Sequence, residues 1–178
     1  MKSNETHQLL SHWDRKGRYV YTKADLAKLI NDPSDNTLSE TLRRLVANGT
    51  LVRAARGVYV YANSRHLGSS TIEDVALALR RGEYVFESLE SALSLWGDIS
   101  QIPLDRITLM TTGRKGEYRT PFGVIEFTHT QSSPVTILDN TVQRPDHPIP
   151  LATKEFARAN LKQVRRNLSL LAQEGAVS

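Results

Sequence analysis

With 178 residues, 39% of them hydrophobic and none cysteine, the chain can bury the core of one or two small domains but cannot form disulfides, thiolate metal sites or a cysteine nucleophile. Its apolar runs are a few residues long, far short of the roughly 20 that cross a bilayer, and MKSNETHQLL has no signal-like apolar stretch, so a cytoplasmic protein with no membrane partner is expected. The net charge of +4 is laid out unevenly, +5 over residues 1–65, −4 over 66–152 and +3 over 153–178, as a nucleic-acid module at the front or ordinary solvated surfaces would give.

A first helix is predicted from about Asn4 to Asp14, with Leu9, Leu10 and Trp13 on one stripe and Gly17 beyond its end. Arg18–Tyr21 reads as a short strand, after which Thr22 can cap a helix over Lys23–Ile30 whose inward face is Leu26, Leu29 and Ile30. Asn31–Asn36 carries turn residues. A third helix follows with Leu38, Leu42, Leu45 and Val46 on one face, and Asn48-Gly49 stops it. Leu51–Ala54, a turn at Ala55-Arg56-Gly57, and Val58–Tyr61 then read as a β-hairpin. Three helices closed by a hairpin are the order of a winged helix-turn-helix, in which the last helix enters the major groove of DNA and the hairpin reaches the backbone.

After a polar joint at Asn63–Ser70, a helix is predicted from Thr71 through Arg81 and a short one over Ser88–Trp96. Arg106–Thr111 and Val124–Thr130 are β-type runs separated by a loop holding Gly113, Arg114, Lys115, Gly116 and Pro121. A long helix is expected over Thr153–Gln173. The expected architecture is therefore α+β, a winged helix-turn-helix over residues 1–65 followed over 66–178 by a small mixed α/β domain ending in a long basic helix.

The outward positions of the third helix are Asn36, Thr37, Ser39, Glu40, Arg43 and Arg44, residue types that hydrogen-bond base edges or phosphates. The hairpin adds Arg53 and, at its tip, Arg56, suited to a phosphate or the minor groove. A second candidate surface is the stripe Lys154, Arg158, Lys162 and Arg165 on the last helix, which fits a partner or nucleic-acid contact and equally a solvated face. Catalysis, a cofactor and a metal are not expected. Glu126 lies on a strand without the neighbouring carboxylates and lysine that a nuclease needs, and no two of His7, His12, His66, His129 and His147 stand three or four residues apart. The loop TTGRKGEYRTPFG lacks the strand-to-helix context of a phosphate loop.

The stretch TLSETLRRLVANGTLVRAARGVYVY resembles the winged-helix segment that opens AbiEi-type antitoxins of type IV toxin–antitoxin systems. YVFESLESALSLWGDISQIP (Tyr84–Pro103), followed by RITLMTTGRK, TPFGVIEFTH and IPLATKEFARANL, is similar in order and spacing to the antitoxin domain of that family. Many of its members run on past the position of Ala152, where this chain carries one basic helix. The resemblance implies a repressor of its own operon, binding double-stranded promoter DNA on repeated half-sites, and an antitoxin countering a nucleotidyltransferase-like toxin with or without touching it. The rival reading is a winged-helix module that binds a protein partner.

Overall fold

The computed structural model describes residues 3–31, 35–99 and 105–164, and the chain divides into two compact units, Met1–Leu79 and Arg80–Ser178. The fold is mixed α+β, with seven helices and two sheets among the described residues.

In the first unit, α1 (Ser3–Arg15) buries Leu10 and Asp14. The chain then runs through β1 (Val20–Thr22) directly into α2 (Lys23–Ile30). The junction is a capping box: the Asp25 amide donates to Thr22 Oγ1 at 3.2 Å and the Thr22 amide to Asp25 Oδ2 at 2.8 Å. α3 (Asp35–Ala47) buries Leu38, Leu42 and Leu45, and Gly49, at φ 79°, reverses the chain so that the amides of Gly49 and Thr50 reach the carbonyls of Val46 and Leu45. β2 (Leu51–Ala55) and β3 (Val58–Tyr61) form the expected hairpin around Gly57, also at positive φ. β1 pairs with β3 on its other side, giving an antiparallel sheet of order β1-β3-β2. The central strand β3 is accordingly buried along its whole length.

Residues 63–70, expected to be a joint, are tied back to this unit. Asp14 accepts a hydrogen bond from Ser64, and His66 Nε2 bonds the Asp14 carbonyl at 2.9 Å. α4 (Thr71–Leu79) is held there too, because the Tyr19 hydroxyl bonds both Thr71 and Asp74. The division thus falls at Leu79/Arg80 and not at the expected 65/66, and the helix ends two residues before the expected Arg81.

The second unit is a six-stranded sheet of order β6-β7-β5-β4-β9-β8. Its strands are β4 (Val85–Glu87), β5 (Arg106–Thr111), β6 (Gly116–Thr120), β7 (Gly123–His129), β8 (Thr141–Arg144) and β9 (His147–Ala152). The pairs β5/β7 and β4/β9 are parallel and the rest antiparallel. Gly116–Thr120, expected to be loop, is therefore an edge strand; its pairing with β7, rather than its own polar sequence, makes it one. α5 (Leu89–Leu95) and α7 (Lys154–Gln163) pack around a core of Phe86, Leu89, Leu93, Met110, Leu151 and Leu161, with the rings of Phe86 and Phe156 stacked 5.4 Å apart. α6 (Pro134–Asp139) adds Ile137. The continuation of α7 expected to Gln173 lies outside the described residues. No described helix is long and apolar enough to cross a membrane.

Candidate nucleic-acid interface

All eight residues expected at the interface, Asn36, Thr37, Ser39, Glu40, Arg43, Arg44, Arg53 and Arg56, are exposed. Four of them converge. Ser39 and Arg43 of α3 face Arg53 and Arg56 of the hairpin across a groove of about 550 Å³ whose floor is Leu42, Val46, Gly57 and Tyr59. Asn36, Thr37, Glu40 and Arg44 lie on α3 outside that lining.

A fifth residue, Lys23, completes the wall. It was not legible as a site residue because it is simply the first residue of α2. The register of β1 on β3 brings it there: Thr22 sits opposite Val58, so the Lys23 amide donates to the Gly57 carbonyl at 2.9 Å. Its ammonium then donates to Ser39 Oγ at 2.9 Å. Three separate elements thus deliver Lys23, Arg43, Arg53 and Arg56 to one concave surface. Bringing like charges together is unfavourable in the free protein and becomes favourable when a polyanion lies in the groove.

The cations differ in how they are held. Arg43 forms a two-point pair with Glu40, Nε donating to Oε2 at 3.1 Å and Nη2 to Oε1 at 2.8 Å, which lowers the carboxyl pKa and raises that of the guanidinium. Arg53 and Arg56 have no hydrogen-bond or ion-pair partner among the described residues.

On α7 the arrangement differs from the expected basic stripe. Lys154 Nζ lies 3.0 Å from Asp98 Oδ1, and Arg158 donates to the same carboxylate through Nε and, at 3.0 Å, through Nη2. Asp98 is only 5% exposed, and the Arg158 hydrogen bond holds its carboxyl below the usual aspartate range. These two cations close an internal staple from α7 to the end of α5, a link that sequence spacing could not reveal across sixty residues. Lys162 is exposed, and Arg165 lies outside the described residues.

Glu126 on β7 is bonded by Arg106 at 2.8 Å, and Arg106 also reaches Glu117 on β6 at 2.9 Å. No group of three or more His, Asp and Glu suited to a metal occurs among the described residues. The backbone of the Gly113–Gly116 segment is pinned from within: Arg80 Nε donates to the Arg114 carbonyl and His129 Nδ1 to the Gly113 carbonyl, each at 2.8 Å.

No protein-family model and no curated protein matches the sequence. Among solved structures, the chain is similar to the RV2827C protein from Mycobacterium tuberculosis, at 16% identity and a TM-score of 0.56, over 85% of this chain. The likeness is one of fold, and this chain spans 58% of the length of that protein.

Proposed function

We propose that the first unit is a winged helix-turn-helix that binds double-stranded DNA, and that the chain represses its own operon from repeated half-sites in the promoter. The observation that carries this is the groove in which α2, α3 and the β2–β3 hairpin place Lys23, Arg43, Arg53 and Arg56 on one surface. α3 is the helix that enters the major groove, and the hairpin is the wing whose unpartnered arginines meet the phosphate backbone. The second unit is the antitoxin half, supported by the resemblance of Tyr84–Pro103 and the segments after it; it counters a nucleotidyltransferase-like toxin.

The test is titration of the full chain against a labelled duplex from upstream of its own gene, beside a shuffled duplex of the same composition. At least about a thousandfold preference for the upstream duplex is expected near physiological salt, the lower end for specific regulators. Arg53→Ala/Arg56→Ala weakens binding to both duplexes. Equal affinity for the two duplexes, or none, overturns the repressor and leaves a protein-binding module. For the antitoxin half, co-expression with the toxin of the same operon restores growth, and continued poisoning overturns it.

A further inference from the structure

Leu38, Leu42 and Leu45 fix the inward side of α3, being at most 3% exposed. At 3.6 residues per turn, the line opposite them runs close to Asn36, Glu40, Arg43 and Ala47. Glu40 therefore stands on the crest of the helix, where a carboxylate entering DNA is repelled by both phosphate strands unless it keeps a donor. It keeps one, Arg43, one turn further on.

The pair occupies a particular edge of the guanidinium. Nε and Nη2 face Glu40, which leaves the Nη1/Nη2 edge, with two parallel N–H bonds, for a second acceptor pair. Guanine O6 and N7 present that pair in the major groove. A phosphate fits less well: beside Glu40 the arginine is half of a neutral pair, so it offers a phosphate little net attraction, whereas a neutral base edge still accepts its hydrogen bonds. The pair also contributes little to folding, since both side chains are mostly exposed, 77% and 65%. Its consequence is that one arginine of the surface is pre-ordered, while Arg53 and Arg56 on the hairpin are not.

Resting on the DNA-binding proposal, we infer that Arg43 is the guanine reader of α3 and that Glu40 is the residue that positions it. Each guanine of the upstream duplex is replaced in turn by 7-deazaguanine, which lacks the N7 acceptor. The wild-type chain, Arg43→Ala and Glu40→Gln are then titrated against every duplex, with a circular-dichroism melt of each variant to show that it is folded. At one guanine in each half-site the replacement weakens wild-type binding about tenfold, and it weakens Arg43→Ala less than about twofold. Glu40→Gln binds the shuffled duplex at least as tightly as wild type, because one negative charge is gone, yet its penalty at that guanine falls below about threefold.

A wild-type chain that senses no guanine, or an Arg43→Ala variant that still senses the same one, overturns the assignment of Arg43. A full penalty in Glu40→Gln overturns the role of Glu40. Failure of the wild-type chain to bind any unmodified duplex is a different result and overturns the DNA-binding proposal itself.

Discussion

Asp98 and Asp74 are both acids drawn out of water, and their neighbours push them in opposite directions. Arg158 and Lys154 stabilise the charged form of Asp98, so its folded pKa lies below the ordinary aspartate value of about 3.9. Its contribution to stability is therefore fully present above that value and drains as pH falls through the folded pKa. Asp98→Asn should be destabilised by about 3 kcal/mol at pH 7, because it removes the buried carboxylate that Arg158 and Lys154 share. In urea unfolding at pH 3 the gap from wild type should shrink, because a protonated Asp98 resembles asparagine; a gap that stays constant would locate the effect elsewhere. For Asp74, burial raises the pKa against the hydrogen bond from Tyr19 and the nearby His66, so the folded state holds the proton more tightly than the unfolded chain. Stability from this group is greatest at low pH and is lost as pH rises through its folded pKa. Asp74→Asn keeps an acceptor for the Tyr19 hydroxyl and removes the half-buried charge. Its thermal midpoint should equal or exceed that of wild type at pH 7 and lose any advantage near pH 4.

At the scale of the element, Arg80 organises one end of the second sheet. It is 5% exposed, its guanidinium carbon lies 4.2 Å from the ring centre of Phe127 and 5.2 Å from that of Tyr118, and it donates to the Arg114 carbonyl and the Tyr118 hydroxyl. Methionine preserves most of its length and none of these polar contacts, so Arg80→Met should cost about 2–3 kcal/mol in urea unfolding. Amides of residues 113–116 should then exchange faster; unchanged exchange would mean that the segment is held without Arg80. This clamp also shows where sequence legibility ends. α2, α3 and the hairpin were readable because leucine spacing, the Thr22 cap and the glycine turns are local signals. β6 was not, because GEYRT is polar and becomes a strand only by pairing with β7. β4, β8 and β9 are short or broken by prolines and likewise take their identity from their neighbours. In the groove, α3 and the hairpin supply Ser39, Arg43, Arg53 and Arg56, whereas Lys23 depends on the register of β1. On α7 the spacing of Lys154 and Arg158 reads as an outward stripe, since nothing local announces a buried partner at Asp98.

For the whole molecule, a net charge of +4 is too small to drive binding by itself, and its placement is what matters, with +5 carried by the first 65 residues. Each phosphate neutralised by a cation contributes about −0.9 to the slope of log affinity against log salt. Arg53 and Arg56, without partners among the described residues, are expected to contribute fully, so Arg53→Ala/Arg56→Ala should flatten the slope of the full chain by nearly 2 on any duplex. As the proposed guanine reader, Arg43 paired with Glu40 is expected to release few counterions on meeting a base edge. Arg43→Ala should therefore leave the slope within about half a unit of wild type while reducing the preference for the upstream duplex. The two readouts separate the two roles proposed within one groove, charge from the hairpin and sequence from α3. A slope that falls by a full contact in Arg43→Ala, with the sequence preference intact, would make Arg43 a phosphate contact like the others and move base recognition to Asn36, Thr37 or Arg44.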